Sequence, residues 1–61
     1  MEMPNVSNTA YDPKRNTTVD FRAYRKLTEN EIRQALAMFL RTPQGRKMND
    51  NQTVTVAYMG D

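Results

Sequence analysis

Sixty-one residues carrying nine Lys or Arg against seven Asp or Glu, for a net charge of +2, allow one domain at most and argue only mildly for an anionic partner. The absence of cysteine and histidine removes disulfides, thiolate or imidazole zinc sites and histidine-based catalytic triads. A chain this short buries a small core, so association or docking is the staple left to it.

Residues 1–16 read as an extended N-terminal arm. They are polar, contain Pro4 and Pro13, and follow neither the helical nor the strand period. Met3, Val6 and Tyr11 are the apolar anchors such an arm could offer a partner, and Asp12-Pro13 marks a bend. On this reading, deleting Met1 to Tyr11 spares the fold and weakens partner binding. The arm has no apolar run of the signal-peptide kind, and no stretch approaches the ~20 apolar residues of a membrane span. The expectation is a soluble, cytoplasmic protein without a membrane partner.

Residues 17–61 read as a single small strand–helix–strand domain. From Thr17 to Lys26, Val19, Phe21 and Ala23 alternate with Asp20, Arg22, Tyr24 and Lys26, the pattern of a half-buried strand. The helix signal over 27–41 is the strongest in the chain. Thr28 is placed as N-cap, Glu31 completes a capping box, and Leu27 with Ile32 can form a hydrophobic staple. Ile32, Ala35, Leu36, Phe39 and Leu40 then form one apolar stripe, with Ala37 and Met38 widening it. Pro43 disfavours helical angles at Thr42, so the helix stops near there.

Residues 43–52 form a connection. Thr42-Pro43-Gln44-Gly45 fits either a proline-second turn or a short helical turn capped by Thr42. Asn49-Asp50-Asn51 is a second turn cluster. From Thr53 to Met59 a second strand puts Val54, Val56 and Tyr58 on one face and Thr53, Thr55, Ala57 and Met59 on the other. The fold class is a small α+β (α/β) unit: an arm, then one amphipathic helix packed on a small sheet, its two strands parallel if adjacent.

The residue inventory argues against catalysis. Ser7 is the only serine, Glu29 and Glu31 diverge on a helix, and the only glycines are Gly45 and Gly60. Asp50 with its flanking asparagines lacks the glycine and the terminal glutamate of a calcium loop. No catalytic, cofactor-binding or metal residue is assigned, and no small-molecule substrate or cofactor is expected. Three Asn-x-Ser/Thr triplets, at Asn5, Asn16 and Asn51, fit turn chemistry in a chain rich in Asn and Thr.

The expected function is a non-enzymatic protein-interaction module: an accessory or assembly subunit, or an inhibitor, of the kind compact genomes such as those of phages encode. It would occupy a protein partner, or a second copy, with its arm and a sheet edge, using Met3, Val6, Tyr11, Arg22, Tyr24 and Arg25. The alternative is a small DNA- or RNA-binding module using Lys14, Arg15, Arg22, Tyr24, Lys26, Arg46 and Lys47, with Tyr24 stacking on a base.

Overall fold

The structure, a computed structural model, describes residues 3–58. The element order is β1 (Val6–Asp12), β2 (Thr17–Ala23), α1 (Glu29–Arg41), α2 (Pro43–Arg46) and β3 (Thr53–Ala57). The sheet runs β1-β2-β3, antiparallel between β1 and β2 and parallel between β2 and β3. This is a small α+β fold, and the strand–helix–strand part follows the sequence pattern closely.

The arm does not exist as such. Seven of its residues form β1 and pair with β2 from Val6 opposite Ala23 to Asp12 opposite Thr17. The chemistry of the bend makes this possible. Asp12 accepts from the Lys14 amide through its side chain at 3.0 Å, and Asn16 takes a positive φ of 53°. Asparagine tolerates that left-handed geometry better than most residues, so Pro13 to Asn16 close a tight hairpin.

In β1, Val6, Asn8, Ala10 and Asp12 turn toward the helix, and Asn8 and Ala10 are buried. Asn8, only 1% exposed, is a four-way clasp. Its Nδ2 donates to the carbonyls of Val6, Phe21 and Arg25, and its Oδ1 accepts from the Leu27 amide at 2.8 Å. One buried side chain therefore ties β1 to β2 and to the segment that launches α1.

The helix begins as its sequence predicts. The Thr28 hydroxyl accepts from the Glu31 amide at 3.2 Å, while the Glu31 carboxylate accepts from the Thr28 amide at 2.9 Å. Such a cap contributes about 1 kcal/mol. Phe39 is the buried member of the stripe; Ile32, Ala35, Leu36 and Leu40 are half-buried against the same core. Phe21 meets Phe39 edge to face, ring centroids 6.4 Å apart, a geometry worth ~1 kcal/mol beyond burial. Met38, expected to widen the stripe, is 69% exposed.

Thr42 then ends one helix and starts another. Its amide and hydroxyl both donate to the Phe39 carbonyl, and its Oγ1 accepts from the Gly45 amide. Pro43 occupies the first turn of α2, where a missing N–H costs nothing. Of the two readings of this stretch, the capped helical turn is the one adopted. Gly45 is needed for contact rather than conformation: a Cβ there would clash with the Phe39 carbonyl oxygen. Met48, just beyond α2, is buried in the core.

Candidate functional site

The helix leaves part of the sheet uncovered. Its backbone lies closer to β1 than to β3, so Val54, Val56 and Tyr58 are only half-buried on the helix side of β3. The space between α1 and β3 is a groove of about 720 Å³, open to solvent. Phe21, Phe39 and Val56 are among its lining, and Ala35, Met38 and Tyr58 stand around them. Glu31 is the one charged lining residue.

Along the groove runs an unpaired sheet edge. Thr18 N–H donates to the Gln52 carbonyl and Tyr58 N–H donates to the Arg22 carbonyl, so residues 52 and 58 aim their backbone groups at β2. Strand alternation gives 54 and 56 the same direction and turns the N–H and C=O groups of Thr53, Thr55 and Ala57 outward. Among the described residues no strand pairs with this edge. β3 carries neither charge nor proline, the features that usually guard an edge. The other edge, β1, ends in Asp12 and is bracketed by Pro4 and Pro13.

The open face of the sheet is polar. Across it run Ser7, Arg22 and Ala57, then Thr9, Asp20 and Thr55, then Tyr11, Thr18 and Thr53. Asp20 sits at the centre and is buried. It accepts from the Ser7 hydroxyl at 2.6 Å and from Arg22 Nε at 2.8 Å. The Ser7 hydrogen bond, aided by Arg22, lowers its pKa against the opposing effect of burial. A buried carboxylate so held stays ionised and acts as a sheet fastener.

No family model, curated protein or solved structure matches this chain. The site is therefore read from its own geometry.

The sequence-predicted residues scatter. Met3, 78% exposed, precedes the sheet; Val6 faces the helix side; Tyr11 lies on the open face and donates to Asn16 Oδ1 at 2.7 Å. They do not form one row of anchors, because Val6 and Tyr11 fall on opposite faces of a strand. Arg22 lies on the open face and Tyr24, 67% exposed, just beyond β2. Arg25 forks onto both oxygens of Glu31, at 2.9 and 2.6 Å, and that pairing with the cap amide holds Glu31 down at about 2.

The basic set divides in the same way. Arg15 donates to Asp50 at 2.8 Å and to the Met48 carbonyl, fastening the hairpin turn to the loop before β3. Arg22 is held by Asp20. Lys14, Lys26, Arg46 and Lys47 make no ion pair with another described residue. Lys14, Arg46 and Lys47 lie toward the end of the sheet where β2 and β3 start, whereas Tyr24 and Lys26 lie beyond the end of β2, at its opposite end. Among the described residues there is no group of acidic side chains suited to a metal, and no helix long and apolar enough to cross a membrane.

Sequence reasoning missed the residues that frame the groove: Ala35, Met38, Val56 and Tyr58. The available signal was the uncharged alternation of Thr53 to Ala57, which reads as an unguarded edge once β3 is known to be terminal in the sheet.

Proposed function

We propose that this chain is a non-enzymatic interaction module that receives an extended, uncharged protein segment along β3. The incoming strand would pair with the outward backbone groups of Thr53, Thr55 and Ala57. Its alternate apolar side chains would enter the groove beside Met38 and Tyr58. This is strand addition, in which main-chain hydrogen bonds supply affinity and the pockets for alternate side chains supply selectivity. The observation that carries it is the coincidence of an unguarded edge with an apolar groove on the same strand.

The earlier expectation of an arm-mediated contact loses its support, because β1 is a sheet strand whose helix-facing side chains serve the core. A nucleic-acid interface on the strand face has less behind it than the edge: Arg22, its central cation, is engaged by Asp20.

Titrating the isotope-labelled chain with short uncharged peptides of alternating valine and threonine tests the proposal. Amide shifts should concentrate at Thr53, Thr55 and Ala57 and extend to Ala35 and Met38. Shifts confined to the open face, or none up to millimolar peptide, would refute it. A parallel titration with single-stranded oligonucleotide should leave Lys14, Arg46 and Lys47 unmoved.

A further inference from the structure

We infer that Met38 is a redox-modifiable site on the groove: a peroxide converts its thioether to the sulfoxide, and the oxidised form receives a strand less tightly. This rests on the strand-addition reading above and gives that same site a chemical control. Four large apolar side chains stand exposed among the described residues, Met3, Tyr11, Tyr24 and Met38, and of these Met38 alone lines the groove. The lining residues Phe21 and Phe39 are already buried by the fold. On α1, Met38 is therefore the main apolar surface left for a bound strand to cover.

The reaction needs only the sulfur and an oxidant of the peroxide class. A sulfur lone pair attacks one peroxide oxygen; the O–O bond breaks and an S–O bond forms. The sulfur gives up two electrons, and the second oxygen leaves as water, carrying the proton of the transferred hydroxyl. Access decides which methionine reacts. Met38 is 69% exposed, whereas Met48 is 5% exposed in the core, so one thioether is presented and the other shielded. Reduction reverses the step: a sulfoxide reductase takes two electrons from a dithiol, which becomes a disulfide, and the oxygen leaves as water.

The product puts a polar, chiral group where an apolar one stood. Gln34 lies one turn before Met38 and Thr42 one turn after, both lining the groove, at the spacing that makes helical side chains neighbours. The Gln34 amide makes no hydrogen bond with another described residue, so it has a donor to offer the sulfoxide oxygen. Oxidation thus joins Gln34, position 38 and Thr42 into one polar row along the groove. An apolar side chain docking there would have to strip water from that row. Met38 is not part of the core cluster, so the fold keeps its own contacts in the oxidised form.

The test uses the native chain, oxidised in part by dilute hydrogen peroxide and passed over immobilised valine–threonine peptide. Peptide mass spectrometry then reads which methionines carry an added oxygen in the retained and unretained fractions. Met38 should oxidise before Met48, and circular dichroism should stay native. Met38 sulfoxide should be depleted about tenfold in the retained fraction, the loss of roughly half of what burying a methionine side chain contributes. Sulfoxides at the other methionines should be spread evenly. Saturating peptide should slow oxidation at Met38, and sulfoxide reductase with dithiothreitol should restore retention. An even distribution of Met38 sulfoxide, a Met38 that resists peroxide, or a loss of native circular dichroism on its oxidation would overturn the inference and leave strand addition standing. Untreated chain that the peptide does not retain would remove the strand-addition reading, and this inference with it.

Discussion

Asn8→Ala should cost this fold a large part of its stability. The substitution deletes four hydrogen bonds around a side chain that is 1% exposed. The three Nδ2 contacts, at 3.2 to 3.4 Å, share one amide group and together count as about one net bond, ~1 kcal/mol. The Leu27 amide weighs more. It donates to Asn8 Oδ1 at 2.8 Å in buried surroundings, and an orphaned buried donor costs ~1–3 kcal/mol. The sum is about 2–4 kcal/mol, against the ~3–5 kcal/mol that a core of this size supplies. At ~4–8 °C per kcal/mol for a small domain, the melting midpoint should fall by roughly 8–32 °C. Urea denaturation followed by circular dichroism, with the m-value unchanged, gives the difference directly. A loss below ~1 kcal/mol would refute the clasp, since it would show that the Leu27 amide does not depend on Asn8.

Gly45→Ala ordinarily favours a helix by ~1 kcal/mol, but here the new methyl would meet backbone atoms of Phe39 and Leu40. The sign should invert to a loss of about 1–3 kcal/mol, read by thermal denaturation; a stabilised variant would show that α2 does not rest on α1. The acid limb should report Glu31 and Asp20. Both carboxyls are held below their ordinary values, Glu31 at about 2 instead of 4.5. A depressed folded pKa gives stability that is present above the unfolded value and lost as pH falls toward the folded one. Stability should decline from about pH 4.5 toward 2, and Glu31→Gln should make that decline shallower; an identical slope in the variant would contradict the Arg25 pairing. Deleting residues 1–11 should abolish the fold instead of sparing it, because it removes β1 with the clasp and Ala10; a folded circular dichroism spectrum from the truncated chain would count against β1.

Much of the architecture is legible in the sequence because it rests on strong local signals. The Thr28–Glu31 capping box, the stripe from Ile32 to Leu40 and the alternation of 17–23 and 53–57 each specify an element without help from the rest of the chain. β1 escapes that reading for a physical reason. Its helix-facing residues are Val6, Asn8, Ala10 and Asp12, of which only valine is a strong strand former and two are polar. Asn8 looks like a turn residue locally, yet it is buried because Leu27 and Arg25, far along the chain, supply its partners. The hairpin signal was present in Asp12 to Asn16, but it declares a turn only once a strand is recognised before it. The groove was illegible for a different reason: it depends on where α1 lies across the sheet, and periodicity fixes which face of a helix is buried without fixing its lateral position.

That lateral position ties the core to the edge. Three strands at ~4.8 Å spacing make a sheet ~14 Å wide, more than the ~10 Å of one helix with its side chains, so α1 alone leaves part of the sheet bare. Seated toward β1, it can bury Ala10, Val19 and Phe21 and leaves Val54, Val56 and Tyr58 half-covered. Asn8 favours that seating, because its bond to the Leu27 amide anchors the start of α1 on the β1 side. The clasp that stabilises the isolated fold is thus also what opens the groove along β3. An apolar residue at position 8 would remove the anchor without filling the groove. Stability and the proposed strand addition therefore both depend on one placement of α1.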